Sequence, residues 1–470
     1  MNRTTLNEYR FFDPDKTIRK IAYELYLQVK NLPIISPHGH VDPKLLAENK
    51  PFPDPTELII IHDHYLFRML YSQGVSLESL GIPSIDGTAV EKDYRKIWQI
   101  FADNFYLFNG TPSSIWLQYE FTEVFGIQEK LSSQNAMVIY DLIREKLQSK
   151  EYLPKVLFER FNIEVLSTTD GASDSLEHHR KIKESGWNCK VIPCFRPDAI
   201  VNITAKNWKQ EIDALSRVSG IDISSYKKYI QAIKDRREYF KSMGAVSTDQ
   251  GVASPYTHKL SENESDAIFQ KALKGDATGD DSKMFTANIL MEMARMSIED
   301  GLVMQIHPGA MRNHNLEIFN KFGLDKGADI PVITEYTRNM YEFLNEFGNN
   351  KDLTVIIFTL DETTYSRELA PLAGLYPALK LGPPWWFNDS IAGMTRFRES
   401  VTETAGIYNT AGFNDDTRAF LSIPARHDLS RRVDSNFLAG MAARHIISMD
   451  EAVSMGKALA YELVKKAYKL

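Results

Sequence analysis

The sequence predicts an α/β protein: a (β/α)8 TIM-like barrel carrying a large helical insertion after its first strand. Three observations predict it. Short, near-continuously apolar, β-branched runs recur along the chain, as parallel strands covered on both faces do. Segments with helical spacing lie between most of them. Histidines, carboxylates and arginines stand just past the runs, at the end where barrel strands open onto a working face.

The runs, in order, are LPIIS (32–36), IEVLSTT (163–169), KVIPCF (190–195), GAVSTD (244–249), GLVMQIH (301–307), LTVIIFTL (353–360), LKLGP (379–383) and IYNTAGFND (407–415). Residues 1–31 read as a helical lead-in and 32–470 as the barrel domain. About 125 residues separate the first two runs, far more than one crossover helix needs. That interval holds the amphipathic, aromatic-rich stretches YLFRMLYSQGV, KIWQIFADNFYLF and SSIWLQYEFTEVF. It therefore reads as a helical insertion at about 44–160. SDSLEHHRKIKESG (173–186), FTANILMEMARMSIEDG (285–301) and NMYEFLNEFGNN (339–350) read as helices, the last two with glycine terminators. Ser448 and Glu451 form a capping-box pattern that opens a docked C-terminal helix at about 449–470. A doubly wound open sheet is the alternative, but no G-x-G-x-x-G opens a helix after a strand.

Apolar content of 43% and charged content of 25% are ordinary for a globular chain. A net charge of −7 without blocks of like charge argues against nucleic acid or an anionic membrane as partner. A small acidic substrate is still allowed, since local arginines can outweigh a mild global charge. The two cysteines, Cys189 and Cys194, stand five apart on one run and would point to opposite faces. That suits a reducing, cytoplasmic setting. The N-terminus lacks the apolar core of a signal peptide, and no stretch approaches 18 apolar residues.

The residues just past the runs form a coherent ligand set. His38 and His40 leave the first, Arg196 the third, Asp249 the fourth, His307 the fifth and Asp361 the sixth. Trp385 and Trp386 leave the seventh, and Asp415, Asp416 and Arg418 the eighth. In extended backbone, i and i+2 share a side, so His38 and His40 can both aim an imidazole into the mouth. With Asp416 they could bind Zn2+ or another first-row metal; alone, an H-x-H pair is as readily a pair of loop histidines satisfied by carbonyls. His62 and Asp63 read equally well as the cap of a helix, while His64 and Tyr65 could lean into the mouth. His178 and His179 read as solvated groups on a polar helix. Arg196, Arg312, Arg418 and Arg426 near one mouth suggest an anionic substrate.

Taken together, H-x-H, D-H-Y-x-x-R (Asp63, His64, Tyr65, Arg68), FRPD, IHPGAMRNHN, WWFND and DTRAFLS resemble the uronate (glucuronate) isomerase family of the amidohydrolase superfamily, from about residue 30 to the C-terminus. The resemblance implies a metal-bearing barrel that interconverts D-glucuronate with D-fructuronate and D-galacturonate with D-tagaturonate. It implies a divalent metal, Zn2+ first with Mn2+, Fe2+ or Co2+ as alternatives, and no nucleotide cofactor. His38, His40 and Asp416 would hold the metal, with His307 as a further ligand or a supporting group. Asp416 and His64 would be catalytic; Tyr65, Arg196, Asp249, Arg312, Trp385 and Arg418 would bind substrate. Homo-oligomerisation is left open. The sequence departs from the family pattern at Ser36 and Gly39, where Asp and Cys are usual, and at Gln250, where His is usual.

The chemistry expected is proton transfer between C2 and C1, through an enediol, with a carboxylate-docking arginine and Asp416 or a water it orients as base. A metal-dependent hydrolase is the second reading. It would require a lysine or glutamate after the fourth run and histidines after the fifth and sixth. Only His307 fits.

Overall fold

The computed structural model describes residues 6–470, so residues 1–5 of the expected lead-in lie outside the described residues. Seven strands form one parallel sheet: β1 (Ile34–Ser36), β2 (Ile163–Gly171), β3 (Lys190–Arg196), β4 (Ser247–Val252), β5 (Val303–Pro308), β8 (Val355–Ile357) and β9 (Leu379–Leu381), in that order across the sheet. A separate two-residue antiparallel ladder joins β6 (Ala310–Met311) to β7 (Ile330–Pro331) within the loop after β5. No sign of this ladder shows in the sequence, since strands this short carry no alternation to read.

The sheet is curled. β1 and β5 are four strand positions apart, which in a flat sheet would separate them by roughly 19 Å. Instead the rings of His38, just past β1, and His307, in β5, stack at 4.8 Å between centroids. Inside the curl Ile35, Val165, Ile192, Val303 and Ile356 form an apolar cluster. Its floor comes from the chain's last helix, Leu463–Tyr468, through Val464, Ala467 and Tyr468. The Tyr468 hydroxyl donates to Gln305 Oε1 at 2.8 Å. The Ser448 capping box forms as the sequence predicts.

The run 407–415 does not form a regular strand. Residues 407–409 make a 3-10 turn, and Gly412 adopts φ +77°, which breaks the extended ladder. A side chain would not fit there: a Cβ at Gly412 would stand 2.4 Å from Val464 Cγ2. The segment still touches both neighbours. Thr410 bridges Leu381 in parallel, and Thr417 accepts a backbone hydrogen bond from His40 at 2.9 Å.

Between β1 and β2 every named element is a helix, and most of the buried apolar residues there share one cluster with Ile34, Ile163 and Leu166 of those strands. Helix Lys16–Val29, capped by Asp15, packs along helix Ile423–Ala443. Asp63 caps helix His64–Tyr71 by accepting from the Tyr65 amide, whereas His62 takes no part in the cap. His179 corrects the reading of the 173–186 helix: it is buried, with Nε2 at 2.8 Å from the Thr168 hydroxyl of β2. Among the described residues no helix is long and apolar enough to cross a membrane.

Candidate active site

A cavity of about 1250 Å³ opens where the parallel strands end. Every site residue expected from the sequence lines it: His38, His40, His64, Tyr65, Arg196, Asp249, His307, Arg312, Trp385, Asp416 and Arg418. Asp361, a strand exit, lies elsewhere; it accepts from the amides of Thr334 and Thr363 and organises a turn.

At the cavity wall, Asp416 Oδ1 lies 3.1 Å from His40 Nε2 and 3.4 Å from His38 Nε2. Yet Oδ1 is buried and makes no hydrogen bond. His307 is held by Asp249, with Nδ1 2.7 Å from Asp249 Oδ1, while its Nε2 is buried without a partner. Ligand atoms of His38, His307 and Asp416 all lie within 4.8 Å of one another. Buried lone pairs facing each other in this way are costly unless a cation sits among them. Three imidazoles and a carboxylate are a donor set that first-row divalent metals accept, so the residues fit a metal. The Asp249 contact is also what a metal-binding histidine uses to fix its tautomer. Asp416 has φ +42°, a left-handed conformation uncommon outside glycine.

The local electrostatics follow from this packing. Burial opposes ionisation of Asp416, but His38 and His40 outweigh it and hold its pKa well below the carboxylate range. Burial likewise opposes charging His38, and Asp416 and Asp249 reverse that, raising its pKa. In His307 burial wins over Asp249 and lowers the imidazole's pKa. Asp249 sits far below the ordinary range, because Arg196, His307 and His38 overcome its burial.

Arg196 is already committed. Its Nε donates to Asp198 Oδ2 at 2.8 Å and its Nη1 meets Asp249 Oδ2 at 3.1 Å. Asp198 also accepts from the Gly251 amide at 3.1 Å. Arg418, by contrast, is exposed and has no hydrogen-bond or ion-pair partner among the described residues. Arg312 pairs with Asp329 at 2.7 Å and lies 5.3 Å from the Trp386 ring. His64 stacks on Tyr65 at 4.8 Å and approaches Trp386 edge-on at 5.9 Å. Neither of its ring nitrogens has a partner, and burial, helped by Arg418, pushes its pKa down to about 3. Sequence reasoning missed Asp198 and Asp389 as supports; each stands inside a motif already singled out, FRPD and WWFND.

The comparisons with known proteins agree along the whole chain. Residues 11–468 match the glucuronate isomerase family. The uronate isomerase of Nostoc punctiforme is 54% identical over 469 residues, spanning 100% of this chain and 99% of the relative. The crystal structure of glucuronate isomerase from Caulobacter crescentus superposes with a TM-score of 0.97 at 53% identity, covering 99% of this chain and 97% of that one. Uronate isomerase from Thermotoga maritima gives 0.92 at 30% identity, covering 99% and 100%.

Proposed function

The chain belongs to the glucuronate isomerase family, and from that membership we propose that it interconverts D-glucuronate with D-fructuronate and D-galacturonate with D-tagaturonate in the cavity lined by His38 and Asp416. Its activity is uronate isomerisation. The observation that carries the assignment to this cavity is the meeting of His38, His40, His307 and Asp416 on a wall that also bears an uncommitted arginine. A hydrolase is not favoured: β4 offers neither lysine nor glutamate, and the segment after β8 ends in Thr359-Leu360-Asp361 without histidine.

His38, His40, Asp416 and His307 would hold a divalent metal, Zn2+ by donor type with Mn2+, Fe2+ or Co2+ compatible. When bound it would supply Lewis-acid stabilisation for the charge of the developing enediolate. The rest falls to the chain. Arg418 docks the uronate carboxylate bidentately, being a cavity-lining guanidinium with no carboxylate partner among the described residues. Arg196, fixed on two sides by Asp198 and Asp249, offers its remaining N–H edge to a sugar oxygen. Holding the far end of the substrate orders C1 and C2 against the base. Asp416, ionised at neutral pH and still 12% exposed, takes the C2 proton and returns it to C1, while the O2 hydroxyl proton passes to O1. His64, uncharged, donates an N–H to the enediolate oxygen. Trp385 and Tyr65 line the sugar site beside it, and Arg312 lies at its rim.

In the same reading the segment 410–417 takes the eighth position of a (β/α)8 barrel, supported by its contacts to β9 and to His40. The stretch of about 44–160, whose named elements are all helices, is then an insertion in the first barrel loop. A cytoplasmic location suits the free thiols of Cys189 and Cys194.

The test is proton NMR of D-glucuronate and of D-galacturonate incubated with the metal-loaded protein in D2O. A ketose deuterated at C1 is expected. A ketose without deuterium would replace the enediol with a hydride shift or a shielded proton. No ketose from either sugar would overturn the reading.

A further inference from the structure

Sequence alone groups Arg426 with the anion-binding arginines, but its guanidinium is spent inside the protein. It is 3% exposed. Nη1 donates to Asp389 Oδ2 at 2.6 Å and to the Asp415 carbonyl at 3.3 Å, and Nε donates to the Ser422 hydroxyl at 3.2 Å. Its Cζ lies over the Trp116 ring at 3.6 Å from the centroid and over the Tyr65 ring at 5.6 Å. One buried cation thus ties together the three segments that supply Tyr65, the Trp385–Trp386 platform and Asp416.

The Asp415 carbonyl is the peptide oxygen immediately before Asp416, whose backbone lies in the left-handed region. The Asp415 side chain is anchored as well, with Oδ2 3.0 Å from His427 Nε2. A residue in an unfavourable conformation stays there only when its surroundings hold it. We propose that Arg426 is a positioning residue: through Asp389 and the Asp415 carbonyl it holds Asp416 in the orientation that brings Oδ1 between His38 and His40. Arg426 touches neither substrate nor metal in this scheme. Lysine cannot replace it, because an ammonium has no planar edge to reach Asp389, Ser422 and a carbonyl at once. The inference rests on Asp416 being a metal ligand.

The test titrates full-length, metal-stripped protein with Co2+, whose visible absorption reports ligand geometry, for wild type, Arg426→Lys, Asp389→Asn and Asp416→Asn. Near-UV circular dichroism checks the fold. Asp389→Asn leaves the guanidinium in place, so it still reads the network where Arg426→Lys fails to fold. Arg426→Lys and Asp389→Asn are expected to weaken Co2+ binding by about 10–100-fold and to alter the spectrum. Their kcat should fall while KM stays within about threefold of wild type. Unchanged Co2+ affinity and spectrum in both, with binding lost in Asp416→Asn, overturn the positioning role and leave the metal reading standing. Unchanged binding in Asp416→Asn overturns the metal reading and the inference with it.

Discussion

Arg196 depends on a residue with no side chain. An added Cβ at Gly251 would stand 2.7 Å from both Arg196 Nη2 and Asp198 Oδ2, closer than real Cβ contacts come. Gly251→Ala must therefore displace the guanidinium or its carboxylate partner, while Asp416, on another segment, is not touched by the change. A hydrogen bond involving a charged group contributes about 1.5–3 kcal/mol. Steady-state kinetics should accordingly show KM for D-glucuronate raised by about 10-fold or more with a smaller change in kcat; an unchanged KM would remove Arg196 from substrate binding. At this scale the sequence is informative. Barrel strands deliver their exits to one rim, so most of the polar residues just past the apolar runs meet in the cavity lining. Sequence could not show that Arg196 and Arg426 are committed to carboxylates while Arg418 has no such partner among the described residues, since pairing depends on which loops meet. The burial of His179 was equally hidden, because it depends on Thr168 of a neighbouring strand.

The last helix shows how an element can look peripheral in sequence and be central in the fold. The capping box at Ser448 announces a docked helix over about 449–470, but not that Tyr468, near its end, fills the floor of the curled sheet. Tyr468 is 1% exposed, packs in the cluster of Ile35, Val303 and Ile356, and bonds Gln305. Tyr468→Ala would leave a cavity beneath the strands and an unmet acceptor on Gln305; large aromatic truncations of this kind cost about 3–5 kcal/mol. Urea denaturation should show that loss, and a change under about 1 kcal/mol would mean the floor is held by other contacts. The first seven runs each hold a strand of the sheet, short ones such as β1 and β9 included. The eighth run does not, because Gly412 takes a left-handed φ beside Val464, a contact between parts of the chain that sequence pattern cannot pair. The β6–β7 ladder escaped for a related reason: its four residues carry no period.

Across the molecule, burial has shifted several ionisable groups in directions that oppose each other on the pH axis. His64 and His179, pushed down to about 3 and about 4 by burial, refuse protons that the unfolded chain accepts below its ordinary imidazole value near 6.5. The unfolded state then binds more protons, so stability falls as pH drops from 6.5 toward those values. Glu120 works the other way. Burial, reinforced by Asp63, raises its pKa from 4.5 to about 8. Between those values the folded chain keeps a proton that the unfolded chain releases, so stability falls as pH rises through that window. A neutral Glu120 also leaves Arg426 free to spend its charge on Asp389, which keeps the supports of Asp416 consistent at neutral pH. Glu120→Gln is nearly isosteric and carries no proton to lose. Its stability relative to wild type should be unchanged at pH 4.5 and should climb through pH 5–8. By pH 8.5 it should reach a gain on the order of a few kcal/mol. Thermal melts across that range read the difference directly. A flat difference curve would mean that Glu120 is ionised in the folded chain, and Arg426 would then have to share its charge between Glu120 and Asp389.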